Sequence, residues 1–260
     1  MRFSLFARGN EEEKIKCVVA GFLGEVGSAI YSILKDAGYE VYGIDLKKRE
    51  SFRGQKINFL HICIPFENSQ KFINDVKKLV REVDPERIII HSSVLPGTSK
   101  KIHSLTGLPI CYSPIRGQHD SLKQDILRYA KYISPLPKTD CDVFMEHLRG
   151  AKLKVIAYNR SPDELELVKI LDTCQYFSLI AWAQEAERIL KKFGFNYSLL
   201  RDFGEEHVKF YPEKRADIFP GVAGGHCLVP NAKLILKIYN SPFLKLFLKS
   251  NEEKAKEESR

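Results

Sequence analysis

Closely spaced cysteines are missing from this chain. Its six cysteines (Cys17, Cys63, Cys111, Cys141, Cys174, Cys227) are widely scattered and form no CxxC pair. That excludes a zinc knuckle and argues for a reducing compartment rather than a disulfide framework. Cys17 and Cys63 fall in strand-like runs, where a reduced cysteine behaves as a small apolar residue. Long hydrophobic runs are missing too. No segment reaches transmembrane length, and the N-terminal MRFSLFARGNEEE has no apolar core of signal-peptide length. The expectation is a cytoplasmic protein without a membrane partner. There is no internal repeat, no RNA-binding signature and no concentrated basic arm, so no nucleic-acid partner is expected.

What is present is globular. With 44% hydrophobic and 28% charged residues, 260 residues can hold one large or two modest domains. The net charge of +8 is spread along the chain. It suits anionic ligands such as nucleotides, although diffuse lysine more often serves as solubilising surface.

The organising stretch is Lys14 to Lys48, KIKCVVAGFLGEVGSAIYSILKDAGYEVYGIDLKK. Ile15 to Ala20 is a short apolar run without alternation, as in a strand buried on both faces of a parallel sheet. Gly21, Gly24 and Gly27 follow, then a helical stretch to Ala37 closed by Gly38 in the C-cap position. A second strand, Glu40 to Ile44, ends on Asp45. For a bound dinucleotide, Gly21 would allow the tight turn and Gly24 would let the backbone approach a pyrophosphate. Gly27 would let helix and strand pack closely, with the helix N-terminus facing the phosphates. Asp45 lies about 20 residues beyond the turn, where a carboxylate can accept from both ribose hydroxyls and repel a 2′-phosphate. NAD is therefore expected over NADP, with Lys47 and Lys48 weakening the preference slightly. The spacing is GxxGxxG rather than GxGxxG. The competing reading is a glycine-rich strand-to-helix turn in another α/β fold.

Further strands are predicted at Ile57–Ile64 (ending at Pro65), Arg87–His91, Leu108–Tyr112 and Lys152–Ala157, with an amphipathic helix over Ser69–Val83. Ser92-Ser93-Val94-Leu95-Pro96-Gly97-Thr98 turns the chain at the carboxyl edge of the sheet, where ligands of open α/β sheets sit. Ser161-Pro162-Asp163-Glu164 is a capping box with proline at the first helical position. The helix it opens runs to Phe193, about 48 Å long at 1.5 Å per residue. Its apolar residues (Leu165, Val168, Leu171, Phe177, Ile180, Trp182, Ile189) cover more than one face, which predicts burial against several neighbours and a subunit interface. Another helix is expected over Tyr197–Phe210. A glycine-rich loop, Phe219 to Cys227, then leads into a helical stretch over Leu228–Leu248, broken at Asn240-Ser241-Pro242. The domain plan is a flexible arm at 1–13, a Rossmann NAD-binding domain at 14–157, a helical domain at 158–250 and a charged tail at 251–260. The fold class is α/β, a doubly wound parallel sheet followed by a smaller helical domain built on one long helix.

Gly221-Val222-Ala223-Gly224-Gly225-His226-Cys227 places a thiol beside an imidazole where a loop enters a helix. Both neighbours lower a thiol's pKa from about 8.5 and raise the reactive thiolate fraction. The bland alternative is a small buried residue after a turn. GFLGEVG, HICIP, SSVLPGT, YSP, the long helix with Lys169, and PGVAGGHC, in that order, resemble the UDP-glucose/GDP-mannose dehydrogenase family, particularly its UDP-N-acetylhexosamine members. The resemblance covers roughly residues 14 to 231.

The resemblance implies oxidation of a primary alcohol of a UDP-sugar to a carboxylate with two NAD, through a thiohemiacetal and a thioester on Cys227. It makes Cys227 the nucleophile. Lys169, a turn before Thr173, would stabilise the oxyanion, and Ser93 would contact cofactor or hold the catalytic water. Without the resemblance, a helix lysine is usually a solvated side chain. The cofactor-contacting set it suggests is Gly21, Leu23, Gly24, Glu25, Val26, Asp45, Leu46, Lys47, Ile64, Pro65, Ser92 and Ser93. No metal is expected.

The chain departs from the family pattern at several positions. Ile115 stands where the family's S-P-E-R has a glutamate, and cannot exchange a proton; His119 and Asp120 are the nearby candidates to replace it. Thr173 and Gln184 replace asparagines, and Asn231 an aspartate. The chain ends about 33 residues after Cys227, where family members carry a nucleotide-gripping second Rossmann-like domain. Three functions stay open: a nucleotide-sugar 6-dehydrogenase acting as a homodimer through the 162–193 helix, a single-step β-hydroxyacid-type dehydrogenase, and a catalytically degenerate NAD-binding dimerisation protein.

Overall fold

The computed structural model describes residues 14–158, 160–210 and 220–259. The expected arm at 1–13 and the Phe219 start of the glycine loop lie outside the described residues. Seven strands form one sheet in the order β2-β1-β3-β4-β5-β6-β7. They are β1 (Lys16–Ala20), β2 (Glu40–Ile44), β3 (Phe59–Ile62), β4 (Arg87–Ile90), β5 (Ile110–Tyr112), β6 (Ala130–Leu136) and β7 (Lys154–Ala157). The chain leaves β1 towards β2 and then returns to place β3 on the other side of β1. That makes the carboxyl ends of β1 and β3 the switch point of the sheet. One neighbour pair departs from the expected all-parallel sheet: β5 and β6 run antiparallel, Cys111 opposite Pro135. The predicted alternation of helices and strands fixes which segments are strands but not the direction in which β6 enters.

Successive strand residues point into opposite layers, which is why these runs read as continuously apolar. Cys17 and Val19 pack with Ile30, Ile33 and Leu34 of α1 (Glu25–Asp36) and with Phe144 and Leu148 of α5 (Cys141–Gly150). Val18 and Ala20 face the other layer, with Phe72, Val76 and Leu79 of α2 (Ser69–Val83) and Ile102 of α3 (Thr98–Thr106). A further short helix, α4 (Leu122–Arg128), joins the first layer through Leu122 and Ile126. Asn68 caps α2 by accepting from the Lys71 N–H at 2.9 Å.

The long helix is α6 (Pro162–Lys192), 31 residues. The chain divides into two compact units after Glu166, inside this helix. Glu166 is fully buried: its Oε2 accepts from Gly97 N–H at 2.7 Å, and its Oε1 from Ser99 N–H at 2.9 Å and Ser99 Oγ at 2.6 Å. This carboxylate ties the first turn of α6 to the SSVLPGT turn. The second unit continues with α7 (Ser198–Phe210), α8 (Leu228–Ile238) and α9 (Pro242–Glu258). The predicted break at Asn240-Ser241-Pro242 separates α8 from α9, with Ser241 capping α9 and Pro242 at its start. The charged residues from Glu252 to Glu258 lie within α9, and Asn251 and Lys254 are buried there.

α6 is buried on one face rather than all round. Leu165 and Phe177 are buried, whereas Val168, Leu171, Trp182 and Ile189 are exposed, Trp182 at 65%. Phe177 meets Phe247 of α9 edge-on, with ring centroids 6.1 Å apart. No helix among the described residues is long and apolar enough to cross a membrane.

Candidate functional site

The glycine turn sits at the carboxyl end of β1, at the switch point. Gly21 has φ +84°, and a Cβ there would fall 2.6 Å from the Cys63 carbonyl oxygen. A Cβ on Gly27 would lie 2.0 Å from the Gly21 oxygen. The turn therefore closes on the end of β3 at one side and on α1 at the other, and neither contact tolerates a side chain. Gly24 is the N-cap of α1 and offers no side-chain acceptor. The first N–H groups of α1 therefore lack the side-chain cap that α2 receives, the condition for binding an anion there.

Asp45 ends β2 beside this turn. Its Oδ2 accepts from the Leu23 N–H at 3.4 Å, and its Oδ1 from the Lys47 N–H at 3.5 Å. Leu23 is half exposed and Leu46 stands fully open at 101%. Ser92 closes the other side: its hydroxyl donates to Ile64 O at 2.7 Å, joining the ends of β3 and β4. Gly21, Ile64 and Ser92 thus gather on one sheet edge, with Pro65 and Ser93 as their chain neighbours. These residues fit a dinucleotide: a side-chain-free turn, an uncapped helix start and a terminal carboxylate. Glu25, in the first turn of α1, is paired with the His119 ring, with Val26 following it in the helix.

That pairing bears on one expectation. His119, one of the two candidates with Asp120 for the proton-exchanging role that Ile115 cannot fill, is engaged with Glu25. Ile115 points into the core, 8% exposed, among Leu122, Ile126 and Ile133. The Ser113–Pro114 backbone before it is held from inside. Lys131 Nζ donates to Ser113 O at 2.9 Å and to Pro114 O at 3.2 Å, and Ser113 Oγ donates to Tyr132 O at 3.1 Å. Burial pushes the Lys131 ammonium down to about 7.

The remaining predicted residues belong to the second unit. Lys169 Nζ donates to Thr173 Oγ1 at 3.1 Å, and Thr173 Oγ1 donates back to Lys169 O at 3.2 Å. Thr173 is buried and the Lys169 side chain is 14% exposed, with Asp172 Oδ2 at 4.0 Å. Cys227 is the N-cap of α8 and is exposed; Cys17, Cys111 and Cys174 are buried, and Cys63 and Cys141 partly so. Burial raises the Cys63 thiol to about 12 and the Cys174 thiol to about 11.

Sequence reasoning missed what holds the loop before Cys227. Gln184 Nε2 donates to Gly221 O at 2.6 Å and to Asn251 Oδ1 at 3.1 Å. Asn251 Oδ1 accepts from the Ala223 N–H at 2.7 Å, and its Nδ2 donates to Ala223 O at 3.0 Å. Ser250 Oγ donates to Gln184 Oε1 at 3.1 Å. The loop is thus fastened by two amides buried between α6 and α9. The available signal was an amide at a core-facing position of α6 and a Ser-Asn pair interrupting a charged run. Asn231, one turn into α8, is buried as well.

No protein-family profile matches the chain. The chain is 21% identical to a UDP-N-acetyl-D-mannosamine dehydrogenase of Methanococcus vannielii, over 94% of this chain and 67% of that protein. Its fold superposes on the UDP-D-ManNAc dehydrogenase from Pyrococcus horikoshii with a TM-score of 0.77 at 18% identity, covering 92% of this chain and 69% of that one. It also superposes on the Mycobacterium tuberculosis 3-hydroxyisobutyrate dehydrogenase with a TM-score of 0.67 at 13% identity, covering 94% and 93%. The chain therefore has the fold of Rossmann-type dehydrogenases. The resemblance carried by its motifs is to proteins named for oxidising UDP-sugars.

Proposed function

We propose that this chain is an NAD-dependent dehydrogenase of nucleotide sugars, with Cys227 as its nucleophile. The observation that carries the reading is Cys227 itself: the one exposed cysteine, set at a helix N-terminus on a loop fastened by buried amides. NAD, when bound, supplies the hydride acceptor for both oxidations. The backbone of Gly21 to Gly24 and the open start of α1 receive its pyrophosphate, and Asp45 accepts from its ribose hydroxyls. Leu46 offers an apolar surface for its adenine.

The Cys227 sulfur adds to the carbonyl carbon of the aldehyde, forming a C–S bond while the carbonyl oxygen takes up the negative charge. The Lys169 ammonium, held by Thr173, stabilises that oxygen. That adduct is a thiohemiacetal; it becomes a thioester only on losing its C–H hydride to the acceptor, and hydrolysis of the thioester then needs a group to take a proton from water. Ile115, where relatives of this type carry a glutamate, cannot do so.

The test is a panel of UDP-hexoses and UDP-N-acetylhexosamines with NAD, read by absorbance of the reduced cofactor. Turnover lost in Cys227→Ser supports the reading; no reduced cofactor with any sugar sinks it. A second reading is a single-step β-hydroxyacid-type dehydrogenase, favoured by the near full-length match to the hydroxyisobutyrate enzyme. Activity surviving Cys227→Ala would select it. The degenerate NAD-binding reading rests on Ile115 and Thr173, and predicts NAD binding without turnover. In each reading the chain pairs with a second copy through the exposed stripe Val168, Leu171, Trp182 and Ile189 of α6. Sedimentation of Trp182→Glu as a monomer beside a dimeric parent tests that.

A further inference from the structure

Behind the segment that follows β5 runs a line of buried polar side chains that the proposed reaction does not use. His61 lies in β3, His91 directly after β4 and His147 in α5, and all three are buried. His61 Nδ1 is 3.0 Å from His91 Nε2, His61 Nε2 is 3.0 Å from His147 Nε2, and His91 Nδ1 is 2.8 Å from Ser113 O. A carbonyl can only accept, so the protons are assigned in one direction. His91 Nδ1–H donates to Ser113, His61 Nδ1–H to His91, and His147 Nε2–H to His61. Burial holds the rings neutral, with His61 down at about 3 and the other two well below the ordinary range.

This leaves the His147 Nδ1 atom buried and without a partner among the described residues. Cys17, fully buried in β1, stands beside the rings: its sulfur and one nitrogen each of His61 and His147 lie within 4.8 Å of one another.

We propose that Cys17, His61 and His147 form a buried three-ligand site for a soft monovalent metal ion of the copper(I) type. Thiolate and imidazole donors suit zinc and copper, so ligand type alone leaves both. Coordination number and charge decide between them. A structural zinc ion takes four ligands, and this cluster offers three buried protein ligands among the described residues. One thiolate, two neutral imidazoles and a monovalent ion sum to zero charge, whereas a divalent ion leaves a positive charge buried. Lys131, bound to the same Ser113 carbonyl as His91, makes a further buried positive charge costlier.

Around His61 the surroundings already have the form of an outer shell. His61 donates its other N–H to His91, which donates to Ser113 O, and such a relay fixes the tautomer and orientation of a ligating ring. The His147 ring is stacked on Phe59 with centroids 3.7 Å apart and on Tyr39 at 5.2 Å. Ion–nitrogen distances of about 2.0–2.1 Å require the two facing nitrogens to part by roughly half an ångström. On binding, the Cys17 thiol releases its proton to solvent, and His147 moves its N–H from Nε2 to Nδ1. No electron is transferred. Because the site is enclosed, the ion loads as α5 docks onto the sheet, coupling metal binding to folding.

The test is the full chain produced in cells supplied with copper and zinc, desalted anaerobically with reductant, and assayed for metal and X-ray absorption. About one copper(I) per chain is expected, with one sulfur and two nitrogen neighbours. Cys17→Ala should lose the metal while Cys227→Ser keeps it. Metal-free protein, retained zinc instead of copper, a two-sulfur shell, or copper kept by Cys17→Ala would each overturn the site. Should Cys17→Ala not fold, the absorption spectrum of the unaltered chain decides alone.

Discussion

Replacing Asn251 with alanine removes three hydrogen bonds at once: those to the Ala223 N–H, the Ala223 carbonyl and Gln184 Nε2. Gln184 keeps its bond to Gly221 O, but both backbone groups of Ala223 lose their partner, and Ala223 is 5% exposed. Each orphaned group costs about 1–3 kcal/mol, so the variant should be destabilised by roughly 2–6 kcal/mol. For a chain of this size, about 2–4 °C per kcal/mol converts that to a Tm drop on the order of 5–20 °C. Asn251→Asp keeps the acceptor for the Ala223 N–H but turns a buried carboxylate oxygen towards the Ala223 carbonyl, so it should be destabilised at least as much as the alanine variant. Thermal melts followed by circular dichroism give the first readout. The second is the rate at which Cys227 reacts with iodoacetamide, which should change in the alanine variant because the loop before it is released. A Tm within about 1 °C of the parent, well below the smallest shift expected, would refute the claim that buried amides hold the loop.

Four further outcomes are expected. Limited alkylation of the native chain should modify Cys227 alone, since burial raises the other five thiols; peptide mass mapping that finds Cys63 or Cys141 labelled equally fast would contradict this. Lys131 has a folded pKa of about 7 against 10.5 unfolded, so the unfolded chain binds the extra proton between those values. Its contribution should rise with pH across that window by up to about 1.4 kcal/mol per unit and be lost as pH falls back through 7. Denaturant midpoints at about pH 7 and 9 should differ in the parent and less so in Lys131→Met; equal slopes would count against it. If the thioester forms on Cys227, its hydrolysis should run about 10²–10⁴ slower than with a proton-exchanging group, so intact mass spectrometry should catch the adduct. Ile115→Glu should lower stability rather than restore turnover, because that side chain points into the core.

Much of the first unit could be read from the sequence. β2 and α2 have the predicted ends, Glu40–Ile44 and Ser69–Val83, because a short apolar run and an amphipathic period carry their own boundaries. The direction of β6 was not legible, since an apolar run reads alike in either sense. His61 and His91 sit in runs so apolar that the pattern hides a polar residue, and their partners come from other elements. The charged stretch after Ser250 reads as solvated, yet Lys254 is buried in α9 against Glu187 of α6. Long-range pairing of this kind leaves no periodic trace.

The three glycines of the turn after β1 differ in what a mutagenesis library would reveal. Gly21 and Gly27 have no room for a methyl group, so randomising them mostly samples misfolded chains. At Gly24 a Cβ would come to 3.3 Å from the Gly21 oxygen at an ordinary backbone angle, which a shift of a few tenths of an ångström accommodates. Gly24 is therefore the position where affinity for the proposed cofactor can be tuned separately from the integrity of the scaffold.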